Sequence, residues 1–447
     1  MIGKVIDLLE NKRISELKAF LIEENPADIA VLLSQLAEKD EHNLPLVFRI
    51  LPKELAADAF SHLEGDVQEI LIASLNDMEL KQVFNQLFLD DAVDLIEEMP
   101  ANVVKRILKQ TNTEKRDKIN ELLNYPEDSA GSIMTIEFVD LKKNMTVKQA
   151  FSHIRKTGIS KETIYTCYVI DGNRKLLGLV SVKTLLLSKR TDQIKDIMET
   201  NLISVHTLDD QELVAKKFEK YDYLAIPVVD TENRLVGIIT FDDAMDIVIE
   251  ESTEDIEMMA AITPTDKSYM KESVMETYKK RIPWLMLLMI SATFTGKIIQ
   301  HYEDALSAYV ILTAFIPMLM DTGGNAGGQS STTIIRGLSL DEIHLKNIFN
   351  VISKEFSVAL LCGITLSFTN FLKLLLIDQV SLSIALTVSV TLIITLIIAK
   401  TVGAMLPIAA SRIGFDPAVM ASPLITTIVD ALSLIVYFNI ATSVLGI

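Results

Sequence analysis

Residues 282–447 contain five apolar stretches long enough to cross a bilayer, and no other feature limits the fold as strongly. They run over 283–302 (PWLMLLMISATFTGKIIQHY), 306–328, 353–376, 381–408 and 419–443. A span needs about 20 mostly apolar residues, and hydrocarbon leaves no partner for an unbonded backbone group, so each is predicted to be a helix. The second is interrupted by glycines, and the fourth is long enough to tilt. Charge divides the chain at the same place. Residues 1–281 hold 35 Lys+Arg and 51 Asp+Glu, a net of −16, whereas residues 282–447 hold 7 and 9, a net of −2. The chain therefore reads as a multidomain membrane protein in which an acidic soluble region precedes an α-helical transmembrane domain. An acidic surface argues against nucleic acid and for cations as partners. The N-terminal MIGKVIDLLENKRISELKAF has no continuous apolar core, so no cleavable signal peptide is expected. Cys167 and Cys362 fall in unlike regions, which excludes a disulfide framework or thiolate metal site.

Basic residues orient the spans. Lys279, Lys280 and Arg281 precede the first, Arg336 and Lys346 lie between the second and third, and Arg412 lies between the fourth and fifth. The opposite connections, His301-Tyr302-Glu303-Asp304 and Asp378-Gln379, have no Lys or Arg. The soluble region is thus expected in the cytoplasm, the C-terminus outside, and the chain in the cell membrane. Polar residues in the spans are concentrated in PMLMDTGGNAGGQSSTTIIRGL, which supplies Asp321, Thr322, Asn325 and Gln329, and in PLITTIVDALSLIVYF, which supplies Asp430. No strand precedes the glycines and no GKS or GKT follows, so a phosphate loop is rejected. Two readings stay open for them: close packing of helices through small residues, or a thinned helix lining a water-filled path. A charge at mid-membrane costs roughly 2.5–3.5 kcal/mol on insertion scales, so Asp430 marks either a packing hydrogen bond or an ion path. Lys400 is one internal partner for it, unless the lysine snorkels toward the cytoplasmic interface. A carboxylate, threonine hydroxyls and backbone carbonyls form an all-oxygen set suited to hard cations.

Residues 1–125 repeat a helix, a short polar break and another helix, which suggests a stack of short helices in a superhelix. Asp90 and Asp94 lie four apart on one helix face, where like charges repel, and from the spacing alone this reads as a solvated face. Residues 126–250 alternate strand-length Val/Ile segments with amphipathic helices and contain an internal repeat. CYVIDGNRKLLGLVSVKTLL (167–186) matches IPVVDTENRLVGIITFDDAMDIV (226–248), and Ile133-Met134 and Ile197-Met198 open the two units. The repeat resembles a pair of CBS domains, α/β modules that often bind adenine nucleotides through an aspartate in a G-h-h-T-x-x-D stretch. The second unit has Thr240 and Asp243, but the first has Lys183-Thr184 where an acid would stand, so the pattern for ATP is half complete. FDDAMDIVIEESTEDIEMMAAI (241–262) then carries eight acids and no basic residue into the first span. Two readings stay open for this self-repelling segment: a simply solvated face, or a binder of divalent cations, which offset the repulsion. No nucleophile–base pair, phosphate loop or His-rich site appears, so an enzyme is not expected.

YPEDSAGSIMT (125–135), the CBS pair, the acidic connector with STEDI, TGGNAGGQSSTTIIRG and DPAVMASPLITTIVD together resemble the MgtE family of magnesium channels, in that family's order along essentially the whole chain. The resemblance implies a helical N domain (1–128), tandem CBS domains (129–192 and 193–248), a connecting plug helix (249–280) and a five-helix transmembrane domain (281–447). It implies a homodimer with the pore between two membrane domains, and transported and regulatory Mg2+. Carried over by position, Asp430 with Thr426 would line the pore, and Asp416 would stand near its cytoplasmic mouth; Asn325 and Gln329 are further pore-lining candidates. For sensing, Asp58, Asp90 and Asp94 would face Asp243 and Asp246. Asp210, Glu212, Asp222, Glu251, Glu254 and Asp255 would share further ions. The alternative from another transport class is a secondary transporter in which Asp430 cycles a proton.

Overall fold

The computed structural model describes every residue except 266–268, 270, 271, 341, 421 and 447, and divides into two compact units, Met1–Val248 and Ile249–Ile447.

The first unit begins with short helices: α1 (Ile2–Glu10), α2 (Ile14–Ile22), α3 (Pro26–Asp40), α4 (Leu44–Ile50), α5 (Lys53–Ser61), α6 (Gly65–Ser74), α7 (Asp77–Gln86), α8 (Leu89–Glu98), α9 (Ala101–Gln110) and α10 (Thr113–Leu122). The polar breaks are starts as well as stops. Asn25, Asn76 and Asn112 each accept a backbone N–H from the first turn of the following helix, and Asn76 forms a reciprocal capping box with Glu79. In α3, Ile29, Leu32, Leu33 and Leu36 are buried along one stripe. Helices α3, α5, α7 and α9 pack in succession, giving the stacked arrangement that the repeated pattern predicts.

Two α/β units follow. The first contains β1 (Val139–Lys142), α11 (Val147–Thr157), β2 (Thr166–Ile170), β3 (Leu176–Ser181), α12 (Val182–Leu187) and α13 (Ile194–Ile197). The second contains β4 (Val205–His206), α14 (Gln211–Tyr221), β5 (Ala225–Val229), β6 (Leu235–Thr240) and α15 (Phe241–Met259). Each sheet pairs its first two strands parallel and its last two antiparallel, with a register shift at Val169/Ile170 in one and Val228/Val229 in the other. The repeated aspartates explain the matching turns. Asp171 Oδ1 accepts the N–H groups of Asn173 and Lys175, and Asp230 Oδ1 those of Glu232 and Arg234. These bonds hold Arg174 and Asn233 in the left-handed region at φ 65° and 59°. Helix α15 grows directly from the end of β6 and continues past Val248 into the second unit.

The second unit contains α16 (Val274–His301), α17 (Glu303–Ala308), α18 (Ile316–Ser339), α19 (Ile348–Leu376), α20 (Leu382–Arg412) and α21 (Ser422–Leu445). Among the described residues, four helices are long and apolar enough to cross a membrane: α16, α19, α20 and α21, the last with its preceding short turn. Helix α20 is central and packs on α18, α19 and α21. The second span differs from its expected bounds of 306–328. Its continuous helix starts at Ile316 and runs through the glycines and the Ser/Thr run to Ser339. Weak helix formers are tolerated there because tertiary packing overrides propensity: the small side chains let α18 lie against α20 and α21.

Candidate functional site

Two polar assemblies stand out, one in each unit. The first gathers at the N-terminal end of α8 and the start of α15. Burial raises the carboxyls of Asp90 to about 7, Asp91 to about 6 and Asp243 to about 7. Asp94 keeps a solvent-facing side, yet surrounding protein and the Asp90 and Asp243 charges raise it to about 8. Glu162 rises to about 9, first through burial and then through the charges of Asp90, Asp91, Asp243 and Asp242. Its Oε2 is buried without a hydrogen-bond partner. Thr240 Oγ1 donates to Asp243 Oδ2 at 2.5 Å within the second α/β unit, and Glu137 Oε2 accepts the Leu89 N–H at 3.1 Å, which fastens the segment before β1 to the start of α8. Lys115 is the local cation. Its ammonium donates to Phe84 O and Leu87 O at 2.8 and 2.7 Å, and burial lowers it to about 8.

The structure thus brings Asp90, Asp94 and Asp243 into one electrostatic neighbourhood. Asp58 and Asp246 meet through a shared neighbour, because His62 tempers both carboxyls, which burial raises. The other expected sensor residues are occupied differently. Asp210 caps α14 by accepting the Glu212 N–H, Glu212 pairs with Lys216 at 2.8 Å, and Asp222 ends α14 in the left-handed conformation at φ 52°. Asp210 and Asp222 flank a helix at about 1.5 Å per residue, roughly 18 Å apart, so one copy cannot direct both at the same ion. Glu251, Glu254 and Asp255 lie on the part of α15 that belongs to the second unit. Among the described residues, no three His, Cys, Asp or Glu side chains converge as a single metal centre. The donor chemistry still fits a hard cation: all-oxygen, mutually repelling, with an orphaned carboxylate oxygen in Glu162. Sequence reasoning missed Asp91, Glu137, Glu162, Lys115 and His62, and it had Asp242 only as one acid of the 241–262 run. Asp91 adjoins a named acid, whereas Glu137 and Glu162 lie in connections with no local signal.

The second assembly is in the membrane unit. Glycines Gly323, Gly324 and Gly327 are on the buried side of α18, where a Cβ would come within 2.9 Å of Thr395, 2.8 Å of Thr426 and 2.8 Å of Ile425 respectively. This favours the packing reading of the glycines. The polar residues take the other face: Asp321, Asn325 and Gln329 recur every four residues and are exposed in the single chain. Asp321, noted in the sequence only as polar content, is the electrostatic neighbour of half-buried Asp430 on α21. Thr426, one turn before Asp430, donates its hydroxyl to Pro423 O at 2.9 Å. Asp416 is exposed, and its Oδ1 accepts the Ala418 N–H at 2.7 Å, opening the short turn that precedes α21. Lys400 takes neither of its expected roles. It is 5% exposed and donates to Ser330 Oγ, because α18 and α19 supply its neighbours.

Comparison with known proteins agrees with this organisation. The divalent cation transporter family model matches residues 316–440, the MgtE intracellular N domain matches 24–128, and the CBS domain matches 130–189 and 194–250. The chain is 35% identical to the magnesium transporter MgtE of Thermus thermophilus, over 95% of this chain and 94% of that protein. It is 34% identical to the magnesium transporter MgtE of Bacillus subtilis, over 99% and 97%. Among solved structures, the cytosolic domain of the Mg2+ channel MgtE in complex with ATP matches with a TM-score of 0.52 and 32% identity, covering 55% of this chain and 100% of that one. The soluble part of a magnesium transporter matches with a TM-score of 0.52 and 30% identity, covering 56% and 98%. With its intracellular N domain, CBS pair and multi-pass helical membrane region all in place, the chain belongs to the MgtE family of magnesium transporters.

Proposed function

We propose that this transporter is a Mg2+ channel of the cell membrane, formed by two copies of the chain, and that cytosolic Mg2+ closes it. The carrying observation is Asp430 beside Asp321 and the stripe Asp321–Asn325–Gln329, a polar surface at membrane depth that lipid cannot satisfy. A second copy facing that stripe would enclose a water-filled path. Asp430 and Thr426 from each copy would then hold a largely hydrated Mg2+, in keeping with that ion's reluctance to lose water. Asp416 would add negative charge at the inner mouth, and the basic connections put the C-terminus outside.

The acidic set of the first unit supports the sensing part. Carboxyls pushed up by burial and mutual charge need protons or cations to stay together. Mg2+ bound among Asp90, Asp94 and Asp243, and near Asp58 and Asp246, would hold the closed arrangement; Asp210, Glu212, Asp222, Glu251, Glu254 and Asp255 would serve in sites completed by other segments or the second copy. Support for a plug comes from the second unit, where Met258 and Met259 at the end of α15 pack against Ile335 of α18 and Ala418 beside Asp416. Several weak sites sum their preference for one state, so closure should be cooperative.

The test is Mg2+ influx into liposomes containing wild type or Asp430→Ala. Near-complete loss is expected, and undiminished flux in the mutant would remove the pore assignment. Proton exchange is the second reading, because an intramembrane acid can also carry a proton. Mg2+ flux that follows an imposed pH gradient would favour it over a channel. ATP is a separate question: the ATP-bound relative suggests a site, the half-complete motif speaks against it, and calorimetric titration of ATP into the full chain distinguishes the two.

A further inference from the structure

Lys400 is a buried cation in the membrane unit of a protein that moves cations, and the ion path described above gives it no role. Its Nζ donates to Ser330 Oγ at 3.3 Å, and Ser330 Oγ donates in turn to Glu355 Oε2 at 2.5 Å. The direction of this chain is fixed by chemistry. An ammonium only donates and a carboxylate only accepts, so the hydroxyl between them must do one of each. Lys400 belongs to α20, Ser330 to α18 and Glu355 to α19, so three helices meet in one charged link.

Packing fixes its level along α18. Gly324 lies against Thr426, and three residues on, Gly327 meets Ile425, the Ala399 carbonyl and Gly403. Three further, Ser330 receives Lys400, and the adjacent Ser331 Oγ donates to Met420 O at 3.1 Å. The link therefore sits between the candidate ligand Thr426 and the inner start of α21. Ser330 is on the packed face of α18, and its neighbour Gln329 is on the exposed polar stripe. At this depth, with few water dipoles to screen it, an unbalanced ammonium would raise the electrostatic potential over several ångströms and oppose an entering cation.

We propose that Glu355, acting through Ser330, is the counter-charge that masks Lys400 from the cation pathway, which makes Glu355 a positioning group for ion passage. This rests on the Asp430 reading of the pore. Masking predicts an asymmetry that simple bracing does not. Removing the carboxylate exposes a positive charge, whereas removing the ammonium leaves a negative one that a cation path tolerates.

The experiment measures Mg2+ influx into liposomes containing the full chain, with thermal stability in detergent measured alongside. Glu355→Gln is expected to slow influx about tenfold, roughly one decade of barrier. Lys400→Met should keep influx at or above wild type, and Lys400→Met combined with Glu355→Gln should restore it to within about twofold. If Glu355→Gln does not fold, Ser330→Ala breaks the bridge with both charges kept; it should slow influx, and adding Lys400→Met should recover it. Equal losses in Glu355→Gln and Lys400→Met that track stability, or wild-type influx in every variant, would overturn the proposal. Asp430→Ala separates the two ideas. Full influx in that variant fails the pore reading; its loss, together with parallel losses in the Lys400 and Glu355 variants, fails only the masking.

Discussion

Gly403 illustrates how a single hydrogen atom can decide membrane packing. A Cβ there would stand 2.3 Å from the Gly327 carbonyl oxygen, and this neighbour is backbone, so it cannot turn aside. Gly403→Ala should therefore force α18 and α20 apart at a cost of about 1–3 kcal/mol, visible as a lower melting temperature of the purified chain. Gly296 is the control. Nothing lies within 4 Å of its added Cβ, so Gly296→Ala should be neutral or stabilise α16 by about 0.5–1 kcal/mol. Equal effects from the two substitutions would contradict this packing account. Lys400 marks the limit of reading single residues from sequence. The two roles expected for it, pairing with Asp430 or snorkelling to the cytoplasmic interface, give way to a hydrogen bond with Ser330, 70 residues away. Asp430 was legible because an acid in an apolar run is anomalous by itself, but its neighbour Asp321 needed the packing of α18 on α21.

Helices α8 and α15 carry the pH dependence. Asp91, Asp90, Asp243, Asp94 and Glu162 titrate near 6, 7, 7, 8 and 9 in the folded chain, above ordinary carboxylates because burial disfavours their charge. A raised carboxyl means that the folded state holds its proton more tightly. This contribution is full below about pH 4 and is lost as pH rises through 6–9. Lys115, lowered to about 8, has the opposite dependence, but its penalty grows only from its unfolded value near 10.4 down to 8 and is constant below. Between pH 5 and 8 the acids therefore set the slope. In EDTA, scanning calorimetry should find the first unit melting at progressively lower temperature from pH 5 to 8. Millimolar Mg2+ should raise the transition more at pH 8 than at pH 5, since metal replaces the missing protons. An equal Mg2+ shift at both pH values would count against cation binding in this cluster. The elements themselves were largely readable: polar breaks became asparagine caps, and the repeated aspartates became turn residues. Glu162 was not, because its electrostatic neighbours come from α8 and α15, and no periodicity links a loop residue to distant helices.

For the whole molecule, the sensing reading makes cytosolic Mg2+ an inhibitor through acids contributed by both units. Neutralising Asp243, Asp246, Glu254 and Asp255 together should shift channel closure to at least tenfold higher Mg2+ in patch recordings, about 1.4 kcal/mol of lost preference for the closed state. Inhibition unchanged from wild type would discard that model, and Asp430→Ala would still report on the pore independently. The division into a soluble and a membrane region was evident from charge and hydropathy alone, since residues 1–281 hold 51 acids and residues 282–447 only 9. What composition could not provide was the packing at the end of α15, where Met258 and Met259 lie on Ile335 of α18 and on Ala418. Methionine is unbranched and adaptable, so this seam is a soft gasket, one that can shift without opening a hole between the surfaces it seals.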